Sequence, residues 1–196
     1  MPKIIDDAEE RIFQAVIELI SQQGLENTSM KKIAESSGLA VGTLYNYFSD
    51  KEELICHVMN RSWQETFARL DEIIKEEEME DLARAEEFAS TLYDEVISRR
   101  MVARELVRNN VIDEENIVEV KRKLRSRYEK LFAGLDLPED NRGQKLDEDR
   151  LASTITCVII TMADKYERQE EDKNFINGLL HRLFGSDNKQ KENDNF

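Results

Sequence analysis

Two prolines and seven glycines are all that interrupt 196 residues. So few breakers leave long stretches free to be helical, and they deny a β-sandwich or barrel the many tight turns it needs. The apolar residues agree. Ile5, Ala8, Ile12, Ala15 and Leu19 recur at steps of three and four, and the same spacing returns in Ile55, Met59, Trp63, Phe67, Leu70 and Ile74. That period places each set on one face of an α-helix. The expected class is all-α, with no strand and no internal repeat.

The punctuation sets the expected order. A first helix runs from about Ile4 to Gln23 and ends at Gly24, which suits a left-handed C-terminal position. Thr28 or Ser29 caps a short second helix that stops near Ser37 and Gly38. A third covers about Val41 to Tyr47. Ser49 or Asp50 opens a long fourth helix, and the acid run Glu76, Glu77, Glu78 marks its solvated end and a candidate domain boundary. Further helices carry Phe88, Leu92 and Val96 on through Val102 and Leu106, either straight or with a bend, then Ile117 to Leu135. A loop with Pro138, Asn141 and Gly143 comes next, then Leu151 to Tyr166 and a last helix from Phe175 to Phe184. Ser186 to Phe196 is polar enough to be disordered.

No apolar run reaches the roughly 18 residues that span a bilayer. Met1 to Arg11 lacks the apolar centre of a signal peptide. Cys56 and Cys157 form no CxxC pair, so a reduced, cytoplasmic setting is expected, with no membrane partner. The formal charge of −14 opposes broad binding to nucleic acid, because polyanions repel. Any DNA-directed function must rest on a small local surface.

The segment Thr28–Lys51, TSMKKIAESSGLAVGTLYNYFSDK, is such a surface. It reads as helix, tight turn, helix. Ala34 is small where two helices cross, Gly38 supplies the positive φ of the turn, and Leu39 and Leu44 face a core. Val41, Thr43, Asn46 and Tyr47 are left pointing outward. Hydroxyls, an amide and methyl groups on a short exposed helix suit the edges of bases in a major groove.

At these residues the chain resembles the TetR family of bacterial transcriptional regulators. The family pattern stands here as Gly24, Thr28, Ile33-Ala34, Gly38, Leu44-Tyr45, Tyr47-Phe48 and Lys51, within a match over about residues 6–66. The resemblance implies a helix-turn-helix motif over about 29–48 in an N-terminal three-helix domain, 1–50. A larger regulatory ligand-binding and dimerisation domain, 51–185, is entered by the long helix, and a tail covers 186–196. It also implies roles. Thr28 and Ser29 would touch phosphate, with Lys31 beside the duplex. Val41, Gly42, Thr43 and Tyr47 would face bases, Gly42 letting the backbone come close. Tyr45, Asn46 and Lys51 would anchor phosphates. Core packing is the alternative for Tyr45, and a solvated lysine is the alternative for Lys51. A lysine in a first turn opposes the helix dipole, so it needs some other partner.

Two departures stand out. Ala40 precedes the third helix where a Ser or Thr cap is common in the family, which forgoes about 1 kcal/mol. Asp6, Asp7, Glu9 and Glu10 follow Lys3 in place of a basic arm. Residues 1–54 carry five basic and ten acidic side chains, a net of −5. Weak nonspecific affinity and strong salt dependence are expected.

Arg99, Arg100, Arg104 and Arg108 form one basic group, and Lys121, Arg122, Lys123, Arg125, Arg127 and Lys130 another. The second winds round its helix, so pairing with acids is the expectation, with an anionic ligand at one inward arginine as the alternative. His57 and His181 are not at metal-ligand spacing. No Ser–His–Asp or Cys–His set and no Gly-rich phosphate loop can be assembled, so no cofactor, no metal and no enzymatic activity are expected. Met59, Trp63, Phe67, Phe88, Tyr93, Met101, Tyr128 and Phe132 are expected to pack together, and some to line a pocket for a small hydrophobic or amphipathic effector. Leu151–Tyr166 is apolar on more than one face. With the last helix it is expected to form a homodimer interface through Ile155, Ile159, Met162, Ile176, Leu180 and Leu183. The expected function is a DNA-binding repressor that its effector releases from a double-stranded operator. The alternatives are an activator, or an all-helical adaptor of the same fold without operator binding.

Overall fold

The computed structural model describes residues 6–111, 114–165 and 169–185. The expected tail 186–196, Lys3 and Tyr166 lie outside the described residues. Among those described there are eight helices and no strand: α1 (Asp6–Gln23), α2 (Met30–Ser37), α3 (Val41–Tyr45), α4 (Lys51–Lys75), α5 (Asp81–Arg108), α6 (Glu114–Phe132), α7 (Glu148–Lys165) and α8 (Gln169–Phe184). The all-α expectation holds. The loop between α6 and α7 carries one bridge, Glu139 to Lys145.

The chain divides into two compact units. The first takes Met1–Glu65 with Ser98–Val118, and the second takes Thr66–Ile97 with Glu119–Phe196. Helices α4 and α5 each give residues to both. The first unit has a continuous apolar core. Ile12, Val16 and Ile20 of α1 join Leu25, Ile33, Ala34, Leu44, Phe48, Leu54, Ile55 and Val58. Val102 and Leu106, from the second half of α5, complete it. Each of these side chains larger than alanine contributes about 1.5–3 kcal/mol by its burial against exposure.

The turns follow the expected chemistry. Gly24 has φ 78° and Gly38 φ 68°, the left-handed region that Gly enters without steric penalty. At the second, the Leu39 N–H closes onto the Ala34 carbonyl at 2.9 Å, the wrap that ends α2. Of the two candidate caps, Ser29 is the one used: its hydroxyl accepts the Lys32 N–H at 3.3 Å. Ala40 gives α3 no side-chain cap.

In the second unit Phe67, Leu70, Phe88, Leu92, Tyr93, Leu124, Tyr128 and Phe132 are buried. The Phe88 and Tyr128 ring centroids lie 5.1 Å apart, and those of Tyr128 and Phe132 5.6 Å. Helix α8 is bonded to the first half of α5. Tyr93 donates to Asp172 at 2.6 Å and Lys173 to Asp94 at 2.8 Å, and Ser90 meets Asn177 at 3.4 Å. Arg122, Lys123 and Arg125 of α6 are paired as expected of a solvated helix, while Arg127 packs over the Phe67 ring and pairs with Asp71. Arg122 and Lys123 meet Glu119, and Arg125 meets Glu129 and Asp149. Arg122, with Lys123 behind it, holds the Glu119 carboxyl down at about 2.

Candidate nucleic-acid interface

Helix α3 is anchored by one buried side chain, Leu44, and followed by a second, Phe48. These two fix which face points away. Val41, Gly42, Thr43, Tyr45 and Asn46 are exposed, and Tyr45 keeps more than half of its surface in solvent. Core packing is therefore not the role of Tyr45. Tyr47 is half-buried, with its ring 6.5 Å from that of Phe48 and its body against the core cluster. A Cβ on Gly42 would meet nothing within 4 Å. The fold itself gives no reason for glycine there.

The expected phosphate contacts fall differently. Thr28 is 3% exposed, and its hydroxyl donates to the Gly24 carbonyl at 2.9 Å. It closes the α1–α2 turn and presents no hydroxyl outward, a correction to the sequence reading. A β-hydroxyl four residues after a helix-ending glycine finds that carbonyl before it finds solvent. Ser29 is exposed but serves as the α2 cap. Lys31 is exposed and 3.8 Å from Glu35, a pair of small worth at the surface. Lys51 is half-buried and donates to the Leu25 carbonyl at 2.9 Å. That bond answers the dipole problem: the lysine is held by the chain itself.

Helix α4 begins with a reciprocal cap. The Asp50 carboxylate accepts the Glu53 N–H at 2.8 Å, and the Glu53 carboxylate accepts the Ser49 N–H and hydroxyl, each at 2.7 Å. The Glu53 N–H holds the Asp50 carboxyl below its ordinary value, and the Ser49 hydroxyl does the same for Glu53. Carboxyls lowered by folding stabilise above their ordinary pKa, about 4, and the contribution fades as pH falls through the folded values. Protection of the amides in the first turn of α4, taken relative to their intrinsic exchange rates, should therefore fall below about pH 4. Asp50→Ala should bring the same loss of protection at neutral pH.

The expected effector residues do not form one cluster within a unit. Met59, Trp63 and Met101 belong to the first unit, and Phe67, Phe88, Tyr93, Tyr128 and Phe132 to the second. Trp63 is half-buried with the Arg99 guanidinium 5.1 Å over its ring, and Met101 is exposed. Arg99 is the inward arginine, and its charge is answered inside the fold. It donates to the Ser62 hydroxyl at 2.6 Å and to the Ser62 carbonyl at 3.1 Å. Phe67, Phe88, Tyr93, Tyr128 and Phe132 are all buried. The Tyr128 hydroxyl makes no hydrogen bond of full geometry, and burial pushes its phenol far above the ordinary range against a weaker pull from Thr156. A groove in the first unit, absent from the sequence reading, is lined by Glu9, Phe13, Phe48, His57 and Arg61. Its charges are partly answered within the groove, since Arg61 pairs with Glu9.

The expected dimer residues need correcting as well. Ile155, Ile159, Ile176 and Leu180 are buried within the chain itself, so they cannot meet a partner. Met162 and Leu183 are half-buried. The apolar side chains left outward on these helices are Ile160, 46% exposed, and Phe175, 61% exposed. The helices do carry apolar residues on two faces, but the outward face is the other one, because periodicity does not say which face meets the chain's own core.

Helix α2, the turn at Gly38 and the outward α3 form a helix-turn-helix within an all-helical fold. Residues 12–58 match the family model described as bacterial regulatory proteins, tetR family. The match lies within the N-terminal helix-turn-helix part of the chain, which is similar to that family. It is 47% identical over 55 residues to the uncharacterized HTH-type transcriptional regulator YvdT of Bacillus subtilis, covering 28% of each chain. It is 33% identical over 66 residues to the fatty acid metabolism regulator protein of the same organism, covering 34% of each. The chain thus matches about a third of the length of these relatives or less. Among solved structures, a TetR-family regulator from Rhodococcus sp. shares the fold with TM-score 0.70 at 18% identity, covering 92% of this chain and 100% of that one. The fatty acid degradation regulator FadR from Bacillus halodurans does so with TM-score 0.66 at 17% identity, covering 91% and 96%.

Proposed function

We propose that the protein is a sequence-specific DNA-binding transcriptional regulator, acting as a repressor, in which α3 reads the major groove. The observation that carries this reading is Gly42. Glycine in an exposed helix costs about 1 kcal/mol relative to alanine, and here no neighbour in the fold requires it. A partner outside the chain, approaching the α3 backbone closely, supplies the reason. Val41, Thr43, Tyr45 and Asn46 flank the bare backbone with groups for bases and phosphates.

The reading gives a test with two opposite signs. Gly42→Ala should raise the stability of the free protein by about 0.4–1 kcal/mol while weakening its binding to operator. Thr43→Ala should weaken operator binding by about 1–3 kcal/mol and relax the base preference at one position. Thermal melts and mobility shifts on genomic fragments measure both. If Gly42→Ala leaves binding unchanged, α3 does not approach DNA. If the parent shifts no fragment, the adaptor reading stands, which the −14 charge favours.

Two finer parts complete the proposal. The protein acts as a homodimer through the outward face of α7 and α8, around Ile160 and Phe175. An isologous dimer that reads two successive turns of DNA needs its recognition helices about 34–36 Å apart. The effector is a hydrophobic or amphipathic small molecule. The resemblance to regulators named for fatty acid metabolism supports that class. The aromatic cluster of the second unit is its candidate site, and the cluster must open to admit it.

A further inference from the structure

One residue in the α1–α2 turn is held from two directions by opposite charges. The Leu25 N–H is accepted by the Glu105 carboxylate of α5 at 3.1 Å. The Leu25 carbonyl accepts from Lys51, the first residue of α4, at 2.9 Å. The Leu25 side chain is buried in the core of the helix-turn-helix unit. Glu105 lies over the turn, with Oε2 3.5 Å from where a Cβ on Gly24 would stand, and Arg108 one turn later braces it at 3.2 Å. Around this latch Val102 and Leu106 enter the same core, and Cys56 contacts the Val111 carbonyl at 3.8 Å. A helix-ending turn could have left these backbone groups to water, at the cost of no partner at all. Here each takes one end of a fixed element instead.

We infer that Glu105 and Lys51 are positioning residues for DNA binding: they clamp the Leu25 peptide and so set the pose of α2 and α3 against α4 and α5. The inference rests on the proposed DNA reading. Lys51 acts by holding the turn that leads into α2. Glu105 ties the second half of α5 to the turn that leads into α2. The first half of α5 is bonded to α8 through Tyr93, Asp94 and Ser90, and its second half carries the clamp.

The experiment uses the full chain with Glu105→Ala, Glu105→Gln, Lys51→Ala and the Glu105→Ala/Lys51→Ala pair. Helix content and melting confirm folding, and exchange of the Leu25 amide reports the clamp directly. Operator affinity should fall at least about fivefold in each alanine variant, with the slope against salt unchanged. The pair should lose less than the two losses multiplied, because both residues hold one peptide. Glu105→Gln keeps an acceptor and should recover most of the affinity. A purely structural role would lower the melting temperature and leave the affinity of the folded protein as it was. A salt slope flattened by about one unit in Lys51→Ala would make it a phosphate contact and overturn the clamp. Alanine variants that bind as the parent does, or an unchanged Leu25 exchange in Glu105→Ala, would overturn it too. If the parent itself binds no operator, the DNA reading fails first, and the parent lane alone reveals that.

Discussion

Ile160→Glu should give a folded monomer, and Ile159→Glu a chain whose second unit does not fold. The two residues are neighbours on α7, yet Ile159 is fully buried and Ile160 is 46% exposed. A carboxylate at 159 would sit in the apolar core without a partner. Stranding a charge costs several kcal/mol, comparable with the whole stability of a domain, about 5–15 kcal/mol. At 160 the same carboxylate stays in water and should change folding stability by no more than about 0.5 kcal/mol. What it should remove is the apolar surface offered to a second subunit. Phe175→Glu, on the outward face of α8, should do the same. Light scattering with thermal melts separates the outcomes. A monomer should also bind operator at least about a hundredfold more weakly, because the second half-site no longer acts at high effective concentration. Dimers in both Ile160→Glu and Phe175→Glu would place the interface elsewhere.

Phe88→Ala should destabilise the protein by about 3–5 kcal/mol, the usual loss for a large aromatic removed from a packed core. Phe88 is fully buried, and its ring packs on Tyr128, which packs in turn on Phe132. The expectation also weighs the effector proposal. A ring that lines an opening pocket has fewer partner atoms, so its removal would cost much less. Calorimetry of the parent and variant gives the number. A full loss, with recovery on adding a small aromatic that fills the hole, marks the cluster as closed core in the resting state. A loss under about 1 kcal/mol would fit the large-to-small scale only if the site already held space.

The helix-turn-helix was legible because its signals are local. Gly38 can enter a left-handed turn at no steric cost, Ser29 caps α2, and Leu44 and Phe48 alternate with outward groups at helical spacing. Each depends on residues within a few positions, so the one-dimensional pattern carries it. The course of α5 through Phe88, Leu92, Val102 and Leu106 was legible for the same reason, while the structure decided between one helix and a bent one in favour of a single run, Asp81–Arg108.

Partnerships between distant residues were not legible. Nothing near Thr28 in sequence marks its hydroxyl as spent on Gly24, and nothing near Lys51 names the Leu25 carbonyl as its partner. Glu105 reads as one more surface acid until folding brings it to a turn 80 residues away. The same limit reversed the faces of α7 and α8. By itself the sequence determined the class, the helix order and the motif, because φ preference, capping and periodicity act over one or two turns of chain. Only the tertiary structure decided that Ile159 turns inward and Ile160 outward, that Arg99 is answered by Ser62 and Trp63, and that α5 belongs in the core of the helix-turn-helix unit. Those choices are made by long-range packing, which selects one apolar face and one partner from several that the local pattern leaves equivalent.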